Sequence, residues 1–399
     1  MKFDREKVLK VLSAVGFTAL LVFLAFRFSG QVLYLSSQLA VKSAAKLLPS
    51  AVFELQETKE KNKEETKEET KEETKADTTE KETQKETEKK ETEAQTTTQK
   101  VKEASAKTDD FYTTPDDILQ MIKDAKENAK NDKKDGAITE KQYTNEAVTD
   151  KYGVVRMKNT NSTKVSIEEL LKEKADLSVT KDKPCVLIFH THTTESYQYL
   201  DRDFYATGYT ARSTKADRNM VRVGDAICEE IEKAGYTVIH DTTIHDEKYS
   251  GAYSRSRQTV SEYLKKYPTI QVVLDIHRDA IQLNNGTKIK PTAEINGKKA
   301  AQVMIISGCQ ESGNGIEDFP DWRYNLIFAL QLQKEMEETF SGLTRPLFFC
   351  PRRYNMNMTH CSLLIEVGSD SNTIEEAYFS GKCIGKSVAQ LLSKYTEEK

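Results

Sequence analysis

Apolar positions along the chain fall into three regimes. Residues 8–26, VLKVLSAVGFTALLVFLAF, are apolar but for Lys10 near their start. A run of that length crosses a bilayer as a helix, and the lysine can reach back to the head groups. Lys2, Arg5, Lys7 and Lys10 precede or open the run and Arg27 alone follows it, a bias that leaves the N-terminus in the cytoplasm and everything after it outside. The following RFSGQVLYL holds no prompt small-x-small cleavage site, which favours a retained anchor over a removed signal. The second regime has no apolar pattern: residues 56–107 are almost wholly Lys, Glu, Thr and Gln, with the repeat KEETKEETKEETK at 63–75. No core forms from such a tract, and whether Glu–Lys pairs make it partly helical or it stays disordered, it is a tether.

The third regime begins at Cys185. Short apolar runs alternate there with segments of helical period: CVLIF, a helix over 220–235, YTVIH, a helix near 259–266, IQVVLDIH, QVMIISG, a helix over 324–340, SLLIEVG and a helix over 374–395. This order predicts an α/β domain, one central sheet flanked by helices, with chemistry gathered beyond the carboxyl ends of the strands. The expected organisation is a cytoplasmic tip and transmembrane anchor (1–30), a juxtamembrane stub and flexible linker (31–108), a loosely structured lead-in (109–180) and a catalytic domain (181–399).

Composition narrows the functions open to such a chain. With 37% hydrophobic residues among 399 it is not a polytopic membrane protein, and 59 basic against 63 acidic side chains, a net charge of −4, give no reason to expect a nucleic-acid partner. The six cysteines include no CxxC pair, which argues against a thiolate zinc knuckle and for small buried thiols.

Histidines are scarce, and three of the six terminate apolar strands. HTHTTES follows CVLIF, so either His190 or His192 can present an imidazole at the strand end while Glu195 folds back from the loop. IQVVLDIHRDA delivers His277 to the same sheet edge, followed by Arg278 and Asp279. Two imidazoles and a carboxylate with one open position are the ligand set of hydrolytic zinc. Glu366 lies inside SLLIEVG, where a carboxylate is costly unless something rewards it, and beside a metal it can serve as general base and then acid. The plainer alternatives are polar turn residues at HTHTTES, a core histidine at His277 paired with Asp275 or Asp279, and a salt bridge from Glu366 to Arg352 or Arg353. His240 and His245 read as supporting or surface residues, His360 lies at the opposite strand end from Glu366, and Trp322 is expected in the core.

Taken together, HTHTTES, AYSRSRQT, VLDIHRDAI and RYN ahead of LLIEVGS resemble the stage II sporulation protein P family of zinc-dependent peptidoglycan hydrolases, over about residues 180–395. The resemblance implies a fold similar to zinc N-acetylmuramoyl-L-alanine amidases, a bound Zn, and thinning of septal wall during engulfment of the forespore, with cleavage of stem-peptide cross-links as a second activity. It also implies a membrane-anchored protein that works beside a lytic transglycosylase and another membrane protein of the same sporulation stage, its catalytic domain outside the cytoplasm. Carried over by residue, it implies a histidine of HTHTTES and His277 as metal ligands and Glu366 as the glutamate beside the metal; the expected set is His190, or His192 in its place, with Glu195 and His277 as ligands, and Glu366, His192 and Arg278 at the reacting centre. Related amidases place a ligand glutamate at the start of the next helix, where this chain reads KADRNMVRVGDA; Glu195 takes that role here, with Asp217 as the alternative. Arg278 is expected to neutralise the developing oxyanion or hold a stem-peptide carboxylate. The competing functions are a non-catalytic peptidoglycan-binding anchor and another zinc hydrolase, a carboxypeptidase or a deacetylase.

Overall fold

The computed structural model describes residues 111–144, 148–311, 316 and 318–397. The anchor and linker expected at 1–108 lie outside the described residues, among which no helix is long and apolar enough to cross a membrane.

In chain order the elements are α1 (Asp116–Asn128), β1 (Lys134–Lys141), β2 (Asp150–Tyr152), β3 (Val155–Asn159), α2 (Ile167–Leu170), β4 (Pro184–Phe189), β5 (Phe204–Ala206), α3 (Met220–Lys233), β6 (Thr237–His240), α4 (Ala252–Lys266), β7 (Val272–Asp279), β8 (Lys288–Ile295), β9 (Lys298–Ala301), β10 (Val303–Gly308), α5 (Trp322–Thr339), β11 (Leu347–Cys350), β12 (Cys361–Ser369) and α6 (Ile374–Ser393). Eight strands form the main sheet in the order β2-β3-β11-β10-β12-β7-β4-β6, and β5-β1-β8-β9 form a smaller one.

The central strands are apolar on both faces because both faces are covered. On β4, Val186 and Ile188 join the large core with α3, α5 and α6, while Leu187 and Phe189 face the cluster that includes Val260 of α4. The strands β6, β4, β7 and β12 run parallel, and β10 pairs antiparallel with β12. Four carboxyl ends therefore open on one edge of the sheet. Helix α3 begins at Asn219, whose side chain accepts from the Val221 amide, and α6 begins with a reciprocal cap between Thr373 and Glu376. All six cysteines are free and buried.

The sequence boundaries of the helices agree with the structure to within a few residues, except that α4 starts at Ala252 rather than near 259. The larger difference lies in the lead-in expected to be loose. Within residues 109–180, β3 pairs in parallel with β11 and β2 closes the sheet beside it, while β1 pairs in parallel with β8. Val155 and Met157 of β3 are buried in the large core, and Arg156 is fixed by Thr344 O and an ion pair with Glu337. This segment is part of the fold, and a boundary at 180 would cut through it.

Candidate metal and hydrolytic site

Three parallel strands carry the chemistry. In the register of β7 against β12, His277 sits opposite Glu366, so both side chains leave the same face at the same height. β4 ends at Phe189 beside Asp275, and the chain leaving it turns over the end of β7. Asp275 joins the two: its carboxylate accepts from the Thr191 amide at 2.8 Å and the Thr191 hydroxyl at 2.6 Å. The same carboxylate lies 2.8 Å from His277 Nε2, an ion pair rather than an aligned hydrogen bond. With Nε2 held by Asp275, His277 turns Nδ1 toward Glu195, whose Oε2 is 3.7 Å away. Glu195 is itself anchored, since that oxygen accepts the Arg278 amide at 3.1 Å.

His192 completes the group. Its ring lies 5.3 Å from the ring of His277 and nearly perpendicular to it, and its Nδ1 is buried with no hydrogen-bond partner, 3.8 Å from Asp246 Oδ2. The two imidazoles are tuned in opposite directions. Burial, then the positive neighbours His277 and Arg212, push His192 well below the ordinary histidine range. Burial also opposes charge on His277, but Asp275 foremost, with Glu195 and Glu366, overcomes it and raises that group to about 9.

His190 lies elsewhere. Its Nδ1 donates to Ile276 O at 2.9 Å, and its Nε2 is 2.9 Å from Nε2 of His240, whose Nδ1 is 3.0 Å from Asp225. Both ring nitrogens of His190 are thereby engaged beneath α3, where burial first, and then His240, keep it neutral. The closeness of that helix requires glycine: a Cβ on Gly224 would stand 2.3 Å from His240 Nε2 and 2.8 Å from His190 Nε2. Gly224→Ala should therefore cost about 1–3 kcal/mol by overpacking, read as a lowered denaturation midpoint.

Arg278 does not face the reacting centre. Its guanidinium donates to the carbonyls of Ser196, Ala211 and Asp279, pinning the 196–211 loop to the end of β7. The expected oxyanion role does not match these contacts, which leave it a clamp. Asp217, the alternative ligand, is half-exposed and paired with Arg218. His245 is buried, its Nδ1 on His190 O, and His360 pairs with Asp176 on the surface. Trp322 packs against Phe349 as expected. The pairing of His277 with Asp275, the plainer alternative read from the sequence, is present; what that reading missed is Asp246, which holds Thr194 by two hydrogen bonds and pairs with Arg212. Asp275, two residues before His277 on a strand and so on its face, was the signal for its pairing.

The donor set of His192, Glu195 and His277 fits a zinc ion: two imidazoles and one carboxylate, an orphaned buried nitrogen on His192, and a carboxylate behind the His277 ring of the kind that orients zinc-bound histidines. Among the described residues, the group whose ligand atoms all lie within 4.8 Å of one another is a different one, Glu140, Asp201 and Glu376; His192, Glu195 and His277 are spaced more widely. Lys290 Nζ stands among those three at 2.5–3.0 Å and Lys299 Nζ reaches Glu140 and Asp201 at 2.7 and 2.9 Å, so ammonium groups already occupy that cluster.

The sequence profile of the stage II sporulation protein P family matches residues 29–389. The stage II sporulation protein P of Bacillus subtilis (strain 168) is 32% identical over 214 residues, which cover 49% of this chain and 48% of that protein; the match thus spans about half the length of this curated relative. Among solved structures, the CwlD amidase of Clostridioides difficile, in complex with the GerS lipoprotein, is similar at 15% identity and a TM-score of 0.34, over 53% of this chain and 99% of that one. The N-acetylmuramoyl-L-alanine amidase AmiC2 of Nostoc punctiforme is similar at 13% identity and a TM-score of 0.32, over 55% and 98%.

Proposed function

The chain belongs to the stage II sporulation protein P family, and from that premise we propose that it is a membrane-anchored zinc hydrolase of peptidoglycan. It cuts the amide between the lactyl group of N-acetylmuramic acid and L-alanine, and also stem-peptide cross-links, thinning septal wall during engulfment. Its catalytic domain lies outside the cytoplasm, held by residues 8–26, and it acts beside a lytic transglycosylase and a membrane protein of the same stage. The observation that carries the chemistry is the meeting of His192, Glu195 and His277 with Glu366 at the carboxyl ends of three parallel strands.

His192, Glu195 and His277 would hold the ion, which supplies Lewis-acid polarisation of a water and of the scissile carbonyl. Asp275 fixes the His277 ring through Nε2 and so presents Nδ1. Glu366, buried and level with His277, takes the proton from the attacking water and returns it to the departing amine of L-alanine. Arg278 keeps Glu195 in place by its amide and the covering loop in place by its guanidinium. Arg212 holds Thr194 and Asp246 together at the rim.

Incubation of the full chain with purified wall material, with and without a chelator, tests the proposal. The expected product is a new free amino group on L-alanine, formed only without chelator and restored by added zinc. Released acetate or terminal D-alanine would identify a deacetylase or carboxypeptidase instead, and wall binding without any metal-dependent product would leave a binding anchor.

A further inference from the structure

Aromatic rings continue outward from the two imidazoles. Tyr253 of α4 lies 6.3 Å from His277 and nearly parallel to it, and 5.7 Å from His192 edge-on. Tyr354 stacks on Tyr253 at 5.5 Å, and Tyr249 stacks on His192 at 4.7 Å while remaining 46% exposed. The turn that presents Tyr354 is unusual. Tyr354 and Asn355 have φ of 43° and 57°, consecutive left-handed conformations that L-residues keep only where the surroundings dictate them.

Those surroundings connect the turn to the site. The Asn355 amide donates to Tyr253 O at 2.9 Å and Ser256 Oγ at 3.2 Å. Ser256 Oγ meets the Thr191 hydroxyl at 2.7 Å, which donates to Asp275, the partner of His277. Behind the turn, Gly308 at the end of β10 admits the backbone closely, since a Cβ there would stand 2.1 Å from Arg352 O. One chain of contacts thus sets the distance from the tyrosine turn to His277.

We propose that Tyr253, Tyr354 and Tyr249 form the subsite for the sugar ring that carries the scissile amide, an inference resting on the hydrolase reading above. A pyranose presents apolar C–H faces and a hydroxyl rim, and tyrosine answers both with its ring and its polar tip. The acidic stem peptide would call instead for cations, and those nearby are engaged: Arg212 with Asp246, Arg278 with backbone carbonyls, Arg257 with Asn357 and Arg255 with His245 O. Three uncharged rings form this wall, with Arg212 standing over Tyr249 at 5.3 Å and pairing with Asp246, and it is the rings that favour the glycan over the peptide.

The test titrates the metal-stripped full chain with two probes: a peptide-free oligosaccharide of alternating N-acetylglucosamine and N-acetylmuramic acid, and the free stem peptide. Glycan affinity should fall about tenfold in Tyr354→Ala and stay within about threefold in Tyr354→Phe, the scale of one aromatic contact, with peptide affinity unchanged. Tyr249→Ala changes an exposed side chain, so it decides the matter if Tyr354→Ala fails to fold; about a threefold loss of glycan affinity is expected. Unchanged glycan affinity, or a loss of peptide affinity in its place, overturns the proposal. Amide cleavage by the zinc-loaded wild-type chain is scored separately. Cleavage without glycan binding removes the subsite and keeps the hydrolase, whereas glycan binding without cleavage does the reverse.

Discussion

Glu366→Gln should lower the rate of wall-amide cleavage by about 10²–10⁴-fold, the range for loss of a general base, while the protein stays folded and keeps its zinc. The substitution preserves size, and Glu366 is buried between the apolar neighbours Ile365 and Val367, so packing changes little. What it removes is a proton acceptor level with His277 and one of the three carboxylates that raise that imidazole. Fragment release measured beside metal content separates the roles. A variant that cleaves within threefold of the parent would mean that Glu366 is a structural carboxylate.

The second large effect separates the two histidines of HTHTTES. His192→Ala should weaken zinc binding at least about a hundredfold, beyond the 10–100-fold typical of residues that only support a ligand. His190→Ala should keep zinc affinity within that supporting range and lose about 2–4 kcal/mol of stability, because it leaves His240 Nε2 and Ile276 O without their buried partner. Metal content after dialysis and chemical denaturation measure the two quantities, and loss of zinc from His190→Ala alone would reverse the assignment. The pH dependence has a definite sign. His277, raised to about 9, carries a proton at neutral pH that the ion must displace, so zinc affinity should rise with pH and level off above that value.

How far the site could be read from sequence depended on where strand geometry stopped. The strand positions of His277 and Glu366 were legible because in each case an apolar run leads directly to a ligand-type side chain. His190 and His192 were not separable, since β4 ends at Phe189 and the alternation that would put both on one side ends with it. One ring then turns under α3 and the other over β7. Arg278 was misjudged because its partners are backbone carbonyls of a loop, which no residue pattern announces. The strands β1 and β9, KDGAITEK and KKAA, were missed for a similar reason: both are polar, short of apolar alternation, and take their conformation from β8 between them.

The pairing of β3 with β11 bears on how the molecule can be divided in the laboratory. A fragment starting at residue 181 would strip β11 of its neighbour and uncover Leu347 and Phe349, turning a protected flank into a template for intermolecular strand addition. Soluble versions for crystallisation or assay should therefore open ahead of residue 111, so that they carry their own edge protection.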